Sequence, residues 1–226
     1  MSHSQLDLFA FTEPVKKTVS WQQLPFLCVD TETTGLEPQA DRVIEIAWLR
    51  FHHGKVESSK SALCKIGMPL PGIITRITGI NDGMLDDAPE FSQQVDELVA
   101  AFESASFIVA YNANFDKGFI EAEFARLGRS LPEKLWIDPL VFIKEVDKFK
   151  KGKKLKDAAE RWGVKLDGAH RAMADAQATG ELLYKLAPHL KAVELEELHK
   201  MQIKWAGEQR KSFDSYRASR SQFGSV

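Results

Sequence analysis

Apolar residues along this chain fall into two kinds of segment. The run LPFLCVD (24–30) is short, apolar and rich in β-formers, and it ends in the polar turn TETTG, which predicts a buried strand. RVIEIAWLRF and ESSKSALCKI flank the Gly-containing turn HHGK and predict an antiparallel hairpin, with His52 and His53 as solvated turn residues. FIVAY (107–111) is apolar throughout and predicts a strand buried on both faces. Elsewhere the spacing is helical. Phe91, Val95, Leu98, Val99 and Phe102 share one face of a helix from Pro89 to Glu103. Phe119, Ile120, Phe124 and Leu127 predict a helix over about 115–127, with Gly128 as its stop. Further helices are expected over roughly 139–148, 154–162, 171–186 and 191–210. Between Pro71 and Pro89, Gly, Pro, Asn and Asp predict short turns around a helical fragment. This order predicts an α/β domain, a mixed sheet with helices packed against it.

The two ends read differently. Residues 1–20 combine one apolar pentad with Pro14, Lys16, Lys17 and several Ser and Thr, as expected of a mobile arm. From Lys191 the chain is amphipathic, with Val193, Leu195, Leu198, Met201 and Trp205 suited to packing on their own domain or on a partner. The final RKSFDSYRASRSQFGSV holds few large apolar residues and predicts a mobile tail. The expected division is an arm at 1–20, a domain at 21–190, and a C-terminal helix and tail at 191–226.

Composition narrows the picture. At 226 residues, the chain suits one domain with appended ends, and 44% hydrophobic residues suffice for a sizeable core. A net charge of −2 excludes a generally basic nucleic-acid coat protein but leaves room for a local basic groove. No basic stretch followed by an apolar core opens the chain, and no apolar run is long enough to span a bilayer. Cys28 and Cys64 form no metal-ligand pattern and sit in apolar surroundings, as buried free thiols of a reducing cytoplasm would.

The acidic residues carry the chemistry. Asp30 and Glu32 lie two apart at the end of the first strand, so both point to one face. Adjacent carboxylates repel each other unless a cation lies between them, and a hard oxygen-preferring ion such as Mg²⁺ or Mn²⁺ fits such a pair. Asp116 follows the second buried strand in YNANFD; alone, it reads equally well as an acid at a helix N-terminus. HRAMAD places His170 and Asp175 five residues apart, roughly 140° around a helix, so they converge only if His170 lies in the loop or first turn.

Together DTETTGL, YNANFD and HRAMAD resemble the three motifs of the DEDDh 3′–5′ exonucleases, the family of the epsilon proofreading subunit and ribonuclease T. RVIEIA, ITGINDGMLDDAP and KLKDAAERWGV agree with it, and the likeness covers about residues 24–190. It implies a ribonuclease-H-like fold, a mixed five-stranded sheet flanked by helices. It also implies that Asp30, Glu32, Asp116 and Asp175 hold two divalent ions, Mg²⁺ or Mn²⁺, and that His170 takes the proton from the attacking water. By the same resemblance, Thr33, Thr34, Gly35, Leu36 and Asn112 bind the 3′ end of the strand. Tyr111 stands where members often carry His, as does Thr78 in the connector.

Two features lie outside those motifs. Gln5, Leu6, Asp7, Leu8 and Phe9 spell QLDLF, which resembles the peptide that docks in the groove of the bacterial sliding clamp, with Leu8 and Phe9 filling apolar pockets. Lys144, Lys148, Lys150, Lys151, Lys153, Lys154 and Lys156 form a basic run that reads as a phosphate contact or as a solvated surface. The expected function is a DNA-directed 3′–5′ exonuclease in proofreading or repair, with a polymerase subunit as a further partner. An RNA-trimming nuclease and a non-catalytic tether between clamp and polymerase are the alternatives.

Overall fold

The computed structural model describes residues 18–167 and 171–223. Five strands form one sheet: β1 (Phe26–Thr33), β2 (Val43–His52), β3 (Lys55–Leu63), β4 (Phe107–Val109) and β5 (Trp136–Ile137). Their order is β3-β2-β1-β4-β5. β1, β2 and β3 are antiparallel neighbours, whereas β4 runs parallel to β1 and β5 parallel to β4. This is the mixed five-stranded sheet expected from the motifs. β5, only two residues long, is too short to show any periodicity in sequence.

Strand alternation sorts the core. Phe26 and Cys28 face a cluster built with α5 (Pro139–Val146), α6 (Leu155–Trp162) and α7 (Ala172–Leu186). Leu27 and Val29 face the other side, covered by α3 (Val95–Ser104) and α4 (Ala113–Arg126). α1 (Gly72–Thr78) and α2 (Asp82–Asp86) lie between β3 and α3 along the chain, and Ile44 joins Ile66, Leu70, Ile80 and Leu85 in a small third cluster. Both cysteines are buried free thiols, and burial pushes Cys64 up to about 12.

α7 lies unusually near the sheet. A Cβ on Gly180 would meet the Phe51 ring at 2.4 Å, so only glycine permits this approach. The rest of α7 is small where it is buried, with Ala172, Ala176 and Ala178 fully covered.

Several local expectations change. FIVAY yields a three-residue strand because the chain turns away at Asn112, whose φ of 67° is left-handed. The helix foreseen over 115–127 begins earlier, at Ala113. Its first donors are capped from a distance, Asn112 N–H and Ala113 N–H both donating to Asp138 after β5. The segment from Pro89 opens with a 3₁₀ turn, Phe91–Gln94, before α3. His52 is no mere turn residue: the hairpin brings its Nδ1 within 2.8 Å of Glu57 Oε1.

The last helix, α8 (Leu195–Phe223), runs well past residue 210. Its first half is docked by Gln202, which accepts from Asp138 N–H and donates to the Trp136 carbonyl, and by Trp205 against Phe142. With that nucleus fixed, elongation is cheap, and no Gly or Pro interrupts residues 208–223. No helix among the described residues is long and apolar enough to cross a membrane.

Candidate active site

The site forms where β1 outruns its parallel partner. β4 pairs with β1 only as far as Cys28↔Val109, so the β1 edge beyond that point is open toward β4. Asp116, in the first turn of α4, closes it: Oδ1 accepts the Thr31 backbone N–H at 2.9 Å and the Thr31 hydroxyl at 2.8 Å. An otherwise orphaned strand donor is thereby satisfied by a buried carboxylate.

On the opposite face Asp30 and Glu32 point toward α7. One carboxylate oxygen from each lies within 4.8 Å of one from Asp175, in the first turn of that helix. The strand pair is therefore completed by a helix that Gly180 allows to lie close. Asp116 is not part of this tight group, but its charge is felt there.

The electrostatics are those of crowded acids. Burial, then the charges of Asp116, Asp175, Glu32 and Glu45, push Asp30 well above the carboxylate range. Burial, with Asp175, Glu45 and Asp116, raises Glu32 to about 8, opposed by Arg171. Burial raises Asp116 to about 7 against the two hydrogen bonds from Thr31. Without a counter-charge, acids so placed resist ionising at neutral pH. The donor set is all carboxylate oxygen and the repulsion is mutual, so these residues fit a hard divalent cation.

The loop after β1 is organised around Asp41. Its carboxylate accepts from the Thr34 hydroxyl and the Glu37 N–H, and it fills the space that a Cβ on Gly35 would need, 2.4 Å away. Thr34 N–H donates to the Arg42 carbonyl, and Thr33 donates its hydroxyl to the Gly35 carbonyl. Thr33 and Thr34 thus spend their side chains inside the loop. Leu36 stands at its tip, 77% exposed.

A model of the exonuclease family (RNase T) matches residues 27–183. The chain belongs to this exonuclease family. The curated relatives include PolC-type DNA polymerase III of Caldanaerobacter subterraneus subsp. tengcongensis, 33% identical over 74% of this exonuclease and 12% of that protein. The Bacillus cereus PolC-type polymerase is 35% identical over 71% and 11%. The exonuclease therefore spans only about a tenth of these relatives. Among solved structures, exonuclease I superimposes with a TM-score of 0.65 at 20% identity, covering 79% of this chain and 43% of that one. Exonuclease X in complex with 5′ overhanging duplex DNA gives 0.59 at 21%, covering 78% and 99%. These likenesses establish the ribonuclease-H-like fold.

Of the expected site residues in this exonuclease, Asp30, Glu32 and Asp175 converge, with Asp116 close behind. His170 and the QLDLF residues 5–9 lie outside the described residues. Asn112 is exposed beside Asp116's helix, its strained turn explaining why Asn suits the position.

Glu45 and Arg171 are residues that motif reading passed over. Glu45 pairs with Glu32 across the β1–β2 ladder, is 1% exposed, and takes both Nε and Nη2 of Arg171 at 3.1 Å. Both sat in quoted motifs, RVIEIA and HRAMAD; the signal was a lone acid in an apolar strand, which needs a buried partner. The lysine run surrounds a fixed node: Asp147 accepts from Arg161 and Trp162, and the Tyr111 hydroxyl donates to the Lys153 carbonyl. Trp136 and Trp162 both serve packing.

Proposed function

We propose that this exonuclease removes nucleotides from the 3′ end of single-stranded DNA in a divalent-metal-dependent hydrolysis, in proofreading or repair. The observation that carries the reading is the convergence of Asp30, Glu32 and Asp175 within 4.8 Å, with carboxyls raised by burial and by one another. Asp30, Glu32 and Asp175, with Asp116, would hold two ions, Mg²⁺ or Mn²⁺. The chemistry such ions supply is neutralisation of charge at phosphorus and acidification of the attacking water.

The chain's own residues do the rest. His170, adjoining Arg171 before α7, takes the proton from the water; an imidazole suits that role near neutral pH. Leu36, exposed on a loop held by Asp41, meets the terminal base, and Gly35, which makes room for the Asp41 carboxylate, keeps that loop tight beside the 3′ sugar. Thr33 and Thr34 shape that loop, and Asn112 borders the strand. The PolC-type relatives support DNA and a polymerase partner.

The QLDLF pattern of residues 5–9 supports a tether to a sliding clamp, and the two buried thiols support a cytoplasmic setting. The test uses 5′-labelled single-stranded DNA and RNA of matched sequence with Mg²⁺ or Mn²⁺. A ladder shortening from the 3′ end of DNA, absent with chelator and with Asp30→Asn, is expected. Cleavage that survives both would overturn the assignment, and preference for the RNA would transfer it to RNA trimming.

A further inference from the structure

Asp41 closes the loop between β1 and β2 on itself, and α4 holds that loop against the domain. Asp116 and Glu123 stand two helical turns apart on α4, so they share a face about 10 Å long. Asp116 meets β1 at the Thr31 N–H, and Glu123 meets the start of β2, accepting the Val43 N–H at 3.1 Å. Arg42, at the end of the loop, donates Nε and Nη2 to the two Glu123 oxygens at 2.8 and 3.0 Å. Glu123 is 1% exposed, and a two-pronged guanidinium with a backbone donor already satisfies it.

Arg126 is therefore a second cation on a neutralised acid. Its Nη1 lies 3.0 Å from Glu123 Oε1, but its Nη2 is spent on the loop. There it donates to two carbonyls, Pro38 at 2.6 Å and Asp41 at 2.9 Å. Two turns earlier on α4, Gly118 faces the same loop, and a Cβ there would lie 3.4 Å from Pro38 Cγ.

These contacts add nothing to the core. Both carbonyl bonds lie at the surface, where water replaces such a bond at little cost. What they fix is direction. The ladder between β1 and β2 is already irregular at Glu32 and Thr33, so the strand ends alone hold the loop loosely. Its tip carries Leu36.

We propose that Arg126 is a positioning residue for the 3′ end: through the Pro38 and Asp41 carbonyls it fixes Leu36 relative to the carboxylates, and it touches no substrate itself. The inference rests on the nuclease reading, in which Leu36 meets the terminal base. α4 brings Asp116 to β1 with its first turn and braces the Leu36 loop with its last. One helix thus sets both an acid of the site and the stop for the strand end. A misplacement of about 1 Å can cost roughly a hundredfold in rate.

The experiment assays the full chain with Mn²⁺ on a twelve-residue oligothymidylate, as wild type, Arg126→Met, Leu36→Ala and the double variant. Methionine keeps the apolar stem and removes the fork, and thermal denaturation checks the fold. Leu36→Ala should lower kcat/KM, and Arg126→Met should lower it roughly tenfold to a hundredfold. In the Leu36→Ala background, Arg126→Met should add no more than about twofold, because the two changes remove one interaction. The rise in Tm with Mn²⁺ should be the same with and without Arg126, since Asp116 keeps its place on β1. Arg126→Lys keeps a charge on Glu123 without the fork and should fall between; it carries the comparison if methionine unfolds the chain. Wild-type rates in Arg126→Met, or in Leu36→Ala, overturn the brace and leave the nuclease reading intact. Equal losses in both backgrounds, or a weaker Mn²⁺ response, overturn it too, because Arg126 would then act through the fold. Wild-type protein that leaves the oligonucleotide whole overturns the nuclease reading, and the brace falls with it.

Discussion

Arg171 grips Glu45 through two parallel N–H···O contacts of 3.1 Å, joining the residue before α7 to the middle of the sheet. The Ala172 N–H, 3.4 Å from the same carboxylate, adds the first donor of the helix. Glu45 also accepts the Ser61 hydroxyl from β3. One buried acid therefore fixes where α7 starts, and with it the place of Asp175.

Glu45→Ala should destabilise the metal-free protein by about 1–3 kcal/mol, the range for orphaning a buried backbone donor. Arg171, whose side chain is 48% exposed, turns to water and adds little. Urea denaturation in chelator measures the change. A midpoint equal to wild type would show that α7 keeps its place without the clamp.

The raised carboxyls fix the sign of the pH dependence. Glu32 moves from 4.5 to about 8 and Asp116 from 3.8 to about 7 on folding without metal. Groups shifted upward contribute stability that is whole below their unfolded pKa and is lost as pH rises through the folded one. The Tm in chelator should therefore fall between about pH 5 and pH 8. Cations displace those protons, so the rise in Tm with Mn²⁺ should grow over the same window. Asp30→Asn should raise the metal-free Tm at the alkaline end and shrink the Mn²⁺ effect. A metal-free Tm that climbs toward pH 8 would contradict the crowding.

His170→Ala should slow cleavage by roughly 10²–10⁴-fold with metal affinity kept, and higher pH should partly restore the rate. The pH–rate profile at saturating metal separates this role from ligation. A variant whose only defect is weak metal binding would make His170 a ligand.

Leu8→Ala/Phe9→Ala should leave cleavage of a free oligonucleotide unchanged and abolish binding to a bacterial sliding clamp. On the tether reading, a segment that binds the clamp raises local concentration without altering the active site. Calorimetry with the arm as a peptide gives the direct measure. Failure to bind at tens of micromolar, about −6 kcal/mol, would dismiss the tether.

Much of this was legible in the sequence because period and chemistry coincide there. Asp30 and Glu32 close an apolar run of alternating faces, and the structure sends Phe26 and Cys28 to the α7 side with them and Leu27 and Val29 to the other. Hidden from sequence were relations made only by folding. Asp138 caps α4 from 25 residues away, Glu45 meets Arg171 across 126, and β5 owes its existence to its neighbour β4. The extent of α8 was also hidden, because its second half carries no apolar stripe and inherits its helical state from the docked first half.

The bare Cα of Gly180 has a reach beyond its own contact. Phe51 touches the backbone of α7 there, and Asp175 lies five residues earlier on the same rigid rod, about 7.5 Å along its axis. The gap between the strand carboxylates and the helix carboxylate is thus a caliper whose jaw is set by a ring in the oily interior. A single methyl at Gly180 would open that caliper without touching any polar atom. Mg²⁺, which demands near-ideal octahedral distances, should lose more from such an opening than a larger, more forgiving ion. On the metal-dependent reading proposed above, discrimination by ionic size would be a property of hydrocarbon packing.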